Sequence, residues 1–367
     1  MNKKVNVKGM VQPHLQTPKG YDGIRSLEAM AADAGIPPDK IIRLNGNENS
    51  YGPSPKVAKA LASYGNYNRY PDPQQREIKK ALAVYTGSPE ERIVAGNGSD
   101  EMIDLVMRLF VGPGDNIIEP VPTFGMYRFS ARLIPAEVIS VKRDKNFELD
   151  VEAIALAKNK KTKIIFIAHP NNPTGNAPSE SQIRALLEMG VIVVVDEAYY
   201  EYCGQSFIGL LDEYPNLIIF RTFSKWAGLA GLRVGMGVMD PEIAKLMMTI
   251  KPPYNMNVAA EVALKASLED KELLMSRITP VIKERERMFD LIKKIPGVTP
   301  IPSQANFMMV RLPKGRGVEI YQSLARKGVF VRYYQDGDMA DCLRVSVGQG
   351  WETDGFVKAL REAVAGK

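Results

Sequence analysis

A lysine can act as a nucleophile near neutral pH when burial or a neighbouring cation keeps its amine uncharged. Lys225 stands in such a setting. It follows the apolar run Leu217-Ile218-Ile219-Phe220, sits between Phe223 and Trp226, and precedes a stretch of small residues and glycines with a second cation at Arg233. Hydroxyls at Thr222 and Ser224 lie just before it. The pattern predicts a turn at the end of a buried strand, where the chemistry open to a lysine is Schiff-base formation with a carbonyl. Histidine chemistry is scarce by comparison. The chain has 2 histidines, His14 and His169, so a Ser-His-Asp relay or a multi-histidine metal site is hard to build. Proton transfer then falls to lysine or a carboxylate.

Other candidates lie at similar strand ends. Val191-Ile192-Val193-Val194-Val195 has the composition of a strand buried on both faces and ends at Asp196. A carboxylate there must be paired or hydrogen-bonded, by an internal salt bridge, a helix cap or a ligand. Lys163-Ile164-Ile165-Phe166-Ile167-Ala168 ends in the turn residues His169-Pro170-Asn171-Asn172-Pro173-Thr174-Gly175, with His169 read as one of them. Gly96-Asn97-Gly98-Ser99-Asp100-Glu101 opens a helical pattern from Met102 to Phe110, and free N–H groups at such a start form an anion site suited to phosphate. Phe124, after a strand-ending proline, either packs in the core or stacks on a planar ring. Pyridoxal phosphate requires a Schiff-base lysine, an acid opposite its pyridinium nitrogen and a cradle for its phosphate. Strand ends at Asn172, Asp196 and Lys225, about one strand–helix unit apart, would gather along one rim of a parallel sheet.

The elements that must position these groups read as α/β. Residues up to about Lys40 mix proline, glycine and short helical pieces. Asn66-Tyr67-Asn68-Arg69-Tyr70-Pro71-Asp72-Pro73 is an extended aromatic loop, since each proline biases its predecessor away from the α region. A long helical stretch from about Val258 to Ile295, interrupted near Pro280, leads to mixed strands and helices. Two of those strands carry arginines, Arg332 and Arg344, which need anionic partners: an internal salt bridge, or a substrate carboxylate or phosphate. The expected organisation is an arm over 1–45, a large domain with a mostly parallel central sheet over 46–257, and a smaller C-terminal α/β domain over 258–367.

Bulk composition narrows the classes. The chain has 367 residues, 45% of them hydrophobic, which suffices for a sizeable core. No uninterrupted apolar window reaches the length of a membrane span, and the basic start Met1-Asn2-Lys3-Lys4-Val5 lacks an apolar leader. Cys203 and Cys342 form neither a disulfide framework nor a metal cluster, and a reducing cytoplasm is the expected setting. The net charge of +6 comes from scattered residues. Its densest run, Lys158 to Lys163, reads as a solvated helix end rather than a nucleic-acid patch. Small anionic substrates fit the excess equally well.

Pro170-Asn171-Asn172-Pro173-Thr174-Gly175, Asp196-Glu197-Ala198-Tyr199, Ser224-Lys225 and Arg233 resemble the fold-type-I pyridoxal-phosphate-dependent aminotransferases, over about Leu44 to Leu360. Within them, Asn47-Glu48-Asn49, Arg69-Tyr70-Pro71, Gly98-Ser99-Asp100-Glu101, Pro122 to Tyr127 and Lys251-Pro252-Pro253-Tyr254-Asn255 are most similar to the histidinol-phosphate aminotransferases. The resemblance implies roles. Lys225 would hold the cofactor covalently and shuttle the proton, Asp196 would pair with the pyridinium nitrogen, and Asn172 and Tyr199 would contact the phenolic oxygen. Gly98, Ser99, Asp100, Thr222, Ser224 and Arg233 would form the phosphate cradle, and Phe124 would stack on the ring. Tyr70 would reach the phosphate of a partner subunit, implying a homodimer. Arg344 would take the amino donor's carboxylate and Arg332 a substrate phosphate. Aromatic-amino-acid aminotransferases and threonine-phosphate decarboxylases share these cofactor motifs and are alternatives. A cofactor-sensing regulator would need a DNA-binding domain for which the segment before Leu44 is too small.

Overall fold

The computed structural model describes residues 5–16, 20–21, 23–335 and 337–366; the basic start Met1–Lys4 lies outside them. The strands in chain order are β1 (Ile42–Leu44), β2 (Ile93–Gly96), β3 (Asn116–Val121), β4 (Glu137–Lys142), β5 (Thr162–Ala168), β6 (Ile192–Asp196), β7 (Leu217–Thr222), β8 (Gly235–Met239), β9 (Thr299–Pro300), β10 (Phe307–Arg311), β11 (Val329–Tyr333) and β12 (Cys342–Ser346). They build a seven-stranded sheet in the order β2-β8-β7-β6-β5-β3-β4 and a five-stranded sheet in the order β1-β11-β12-β10-β9.

The large sheet is parallel except at β8, which runs against both β7 and β2. Its central strands are covered on both faces, as their unbroken apolar composition requires. Successive side chains of a strand point to opposite faces. Accordingly Ile165, Ile167, Val193, Val195, Leu217 and Ile219 pack into one core, while Ile164, Phe166, Val194, Ile218 and Phe220 pack into another. The register pairs Ala168 with Asp196 and Asp196 with Phe220, so β5, β6 and β7 end side by side. The expected common rim exists.

The small sheet draws on both ends of the chain. β1 pairs in parallel with β11, Ile42 opposite Val329 and Leu44 opposite Val331, so residues assigned by sequence to an arm lie at the edge of the C-terminal sheet. The helix Leu27–Ala34 packs its Met30 and Ala31 with Ile41 and Phe330 beside that edge. In the other direction, the helix Val258–Leu268 rests on the helices Pro55–Ser63 and Arg76–Thr86 of the large unit. The long helical stretch is broken at Arg277, near Pro280 as expected, and also at Glu269–Asp270, giving helices Val258–Leu268, Lys271–Ser276 and Ile278–Lys293. Pro280 falls in the first turn of the last of these, where a helix N–H has no intrahelical acceptor to lose. No helix of the described residues is long and apolar enough to cross a membrane, and no group of His, Cys, Asp and Glu among them could hold a metal ion.

Candidate active site

The rim of β5, β6 and β7 floors a cavity of about 230 Å³ lined by Ser99, Asp100, Phe124, Asn172, Asp196, Tyr199, Thr222, Ser224, Lys225, Arg233 and Arg344. Asp196 is buried, and two donors hold it: the Tyr127 hydroxyl at 2.9 Å on Oδ2 and the Ala198 N–H at 3.2 Å on Oδ1. Burial nevertheless pushes its pKa up to about 6, against the pull of the Tyr127 hydrogen bond. The neighbouring Glu197 faces away, accepting from Arg221, from the Ser206 hydroxyl and from the Phe207 N–H at 2.7 Å, which fixes the turn behind the rim. His169 is a turn residue, as its neighbours in sequence imply, and a fully buried one. Its Nε2 lies 2.9 Å from the Gln205 carbonyl, and its ring packs on Phe207.

Lys225 donates from Nζ to the Gly46 carbonyl at 3.2 Å. Its pKa is lowered to about 8, first by desolvation and next by the positive charge of Arg344. The sequence singled out Arg233 as the nearby cation. Arg233 acts in the same direction but less than Arg344, which arrives from the other sheet.

The loop expected to cradle a phosphate is built by close backbone approach. Gly98 caps the helix Ser99–Phe110 at φ 82°, and the first strand residue of β8, Gly235, sits so near this loop that a Cβ there would drive into the backbone of Gly98 and Ser99. Arg233, itself left-handed at φ 55°, spans the gap: Nη2 donates to Asp100 at 3.1 Å and Nη1 to the Ser224 hydroxyl at 3.5 Å. Thr222 donates to the same Ser224 oxygen at 3.0 Å. A helix N-terminus, two hydroxyls and a guanidinium converge, which is the donor set an anion needs. With a low-pKa lysine and a buried carboxylate in the same cavity, the residues present fit pyridoxal phosphate.

A second cavity of about 970 Å³ adjoins the first and shares Tyr21, Ile24, Phe124, Asn172 and Arg344 with it. Arg344 is buried, donating from Nη1 to Asn172 Oδ1 at 2.8 Å and from Nη2 to the Asn45 carbonyl at 2.7 Å. Arg332 lines only the larger cavity. The two arginines are direct cross-strand partners in the β11–β12 register, so they share one face of the small sheet. Tyr70 lines neither cavity of its own chain. It is 80% exposed and stacks on Tyr254 with ring centroids 4.3 Å apart.

Sequence reasoning passed over several residues here. Tyr127 reaches Asp196 from the helix Met126–Leu133, Tyr21 and Ile24 enter both cavities from the N-terminal segment, and Asn47 donates to the Tyr199 hydroxyl. Tyr127 lay inside a motif quoted for its aromatic before the helix, so a signal for it existed; Tyr21 and Ile24 had none.

The model of the aminotransferase class I and II family matches residues 39–360. A histidinol-phosphate aminotransferase of Dehalococcoides mccartyi (strain CBDB1) is 43% identical over 357 residues, covering 97% of this chain and 98% of that one. A chloroplastic histidinol-phosphate aminotransferase of Nicotiana tabacum is 40% identical over 361 residues, covering 98% of this chain and 87% of that one. Among solved structures, the histidinol-phosphate aminotransferase from Sinorhizobium meliloti in complex with pyridoxal-5'-phosphate superposes with a TM-score of 0.87 at 27% identity, covering 97% of this chain and 98% of that one. With a family model matched over most of its length and relatives about 40% identical across nearly all of it, the chain belongs to the class I and II aminotransferases and, among these, to the histidinol-phosphate aminotransferase family.

Proposed function

We propose that the chain transfers an amino group between L-histidinol phosphate and 2-oxoglutarate, giving imidazole acetol phosphate and L-glutamate, with pyridoxal phosphate held by Lys225. This is a step of histidine biosynthesis, carried out in the cytoplasm. The observation that carries the reading is the convergence of Lys225, Asp196 and Arg344 on one cavity from two different sheets. Pyridoxal phosphate, when bound, supplies an electron sink for the pair left at the substrate carbon as its proton departs. The chain's own groups do the rest. Lys225, with its pKa lowered to about 8, presents a usable fraction of neutral amine to take that proton at Nζ. Asp196, braced by Tyr127 and Ala198, would hold the proton on a ring nitrogen opposite it. Asn172 and Tyr199 would hold the phenolic oxygen, and the helix start at Ser99 with Arg233, Ser224 and Thr222 would bind the phosphate.

Substrate choice rests on the arginine pair. Like charges at directly opposed strand positions repel, and an anion between them relieves the repulsion. Histidinol phosphate has no carboxylate, so its dianionic phosphate would meet Arg332 and Arg344; glutamate would present carboxylates there. The test is a half-reaction screen. The cofactor-loaded protein should lose its visible band on mixing with L-histidinol phosphate and regain it with 2-oxoglutarate. Conversion by phenylalanine in preference to histidinol phosphate would move the assignment to an aromatic aminotransferase.

The exposure of Tyr70 supports its service to a partner subunit in a homodimer. In a mixed dimer of Tyr70→Phe and Lys225→Ala chains both defects then fall on one site, and the other stays intact. Activity no better than either parent would return Tyr70 to its own chain's site.

A further inference from the structure

Asn47 lies between the two sheets, and every polar atom it has is engaged. It is 1% exposed and held at φ 51°, a left-handed conformation that asparagine tolerates better than most residues. Its N–H donates to the Ser346 hydroxyl oxygen at 2.8 Å, and that hydroxyl donates back to Oδ1 at 3.1 Å. Its carbonyl accepts from Asn306 Nδ2 at 3.0 Å. The remaining group, Nδ2, donates to the Tyr199 hydroxyl oxygen at 3.0 Å. Ser346 and Asn306 thus lock the residue onto the small sheet, and its one free donor reaches a tyrosine on the rim of the large one.

The direction of that last bond matters. A phenol oxygen can accept one hydrogen bond while giving its own proton to another acceptor. With Asn47 on the accepting side, the Tyr199 proton is left for an acceptor in the cavity that Tyr199 lines. A donor to the phenol oxygen also stabilises the charge that builds there as the proton is shared, so Tyr199 becomes the stronger donor. We propose that Asn47 is a positioning residue that orients and strengthens Tyr199 as a hydrogen-bond donor to the cofactor's phenolic oxygen, an inference resting on the pyridoxal-phosphate reading above. Through Ser346 it makes that setting depend on the seating of the small sheet.

The alternative is that Asn47 only ties two strands together. Asn47→Asp separates the two ideas. It keeps the size, the acceptor for Ser346, the carbonyl for Asn306 and the tolerance of a left-handed φ, but replaces the donor facing Tyr199 with an acceptor. A weaker donor at the phenolic oxygen leaves more negative charge beside the group that titrates, which then keeps its proton to higher pH. The measurement is the pH midpoint of the visible absorbance of the protein loaded with pyridoxal phosphate, with the cofactor's dissociation constant beside it. Asn47→Asp should raise the midpoint by about one unit and weaken cofactor binding about tenfold. The uncharged Asn47→Ala should shift the midpoint in the same direction by less. In a Tyr199→Phe background neither change should add a further shift, because the effect must pass through Tyr199.

An unchanged midpoint in both Asn47 variants overturns the proposal, and so does a shift that persists undiminished without the Tyr199 hydroxyl. Where the Asn47 variants do not fold, Ser346→Ala, which removes the donor to Oδ1 and the acceptor of the Asn47 N–H but leaves Nδ2 in place, decides the matter by a smaller upward shift or none. Failure of the underlying reading looks different: the unaltered chain would then show no titrating visible band with pyridoxal phosphate at all.

Discussion

The rim of the seven-stranded sheet and the face of the five-stranded sheet handle charge in opposite ways. On the rim, Asp196 and Lys225 are moved by burial toward values near neutrality, to about 6 and about 8. Each can therefore exist in either protonation state at working pH. On the face, Arg332 and Arg344 stand directly opposite one another, an arrangement that on the proposed function would draw a substrate anion between them. On the proposed function the rim would move protons and the face would choose what enters. The two are not independent, because Arg344 contributes to the lowered pKa of Lys225. An anion bound at Arg344 screens that effect and leaves the lysine more basic when the site is filled.

The sharpest way to break this division is Lys225→Ala. A rim group that carries the chemistry should be irreplaceable, with turnover down more than about 10⁴-fold and the visible band lost, while the protein stays folded. Transamination resembling that of the unaltered chain would dissolve the distinction.

Asp196→Asn should cost about 10³-fold in turnover, and it has a second readout that a face residue lacks. The folded-state pKa of Asp196 lies above its ordinary value, so the stability tied to its protonated form is present below about pH 4 and is lost as pH rises through about 6. Asparagine cannot ionise. The cofactor-free variant should therefore be more stable than the unaltered protein at pH 7, by about 1–3 kcal/mol, with the gap closing below about pH 4. Denaturant unfolding at the two pH values measures this, and equal stabilities at pH 7 would mean the carboxylate is not strained there.

The arginines sharpen the comparison at smaller size. Removing one side of a buried charge-assisted contact costs about 2–5 kcal/mol. Arg344→Ala should lower kcat/KM by that order for every donor. Arg332→Ala should do so for histidinol phosphate and spare glutamate and phenylalanine. Equal losses for phosphorylated and unphosphorylated donors would remove the phosphate role from Arg332.

The rim was legible in the sequence because its signals are local. An apolar run followed at once by Asp196, or by Thr222, Ser224 and Lys225, announces a strand end and its cargo in a few residues. The same holds for Gly98-Ser99-Asp100 at a helix start. The linkage between sheets was not legible. Asn47 finds Ser346 and Asn306, and Arg344 finds Asn45, across most of the chain, and no window of sequence records such a pairing. The interruption expected near Pro280 is found at Arg277, with the proline tolerated in the first turn of the next helix, whereas the second break at Glu269–Asp270 carries no proline or glycine to announce it.

β1 carries a consequence for the order in which the molecule can be made. Its partner strand begins at Val329, so the segment that presents Asn45 to Arg344, Gly46 to Lys225 and Asn47 to Tyr199 leaves the ribosome long before the strand it pairs with, and has no sheet to join until that strand is made. The seven-stranded sheet is complete in sequence by Met239 and can condense well before that. Closing the small sheet is then the late, long-range step of folding, and it delivers the pieces that finish the site. A cofactor that binds only the finished site is a ligand of a chain translated through β12, and its stabilisation by mass action begins there. Chains cut short before β11 could own an intact lysine, acid and phosphate cradle and still lack the segment that holds them in place.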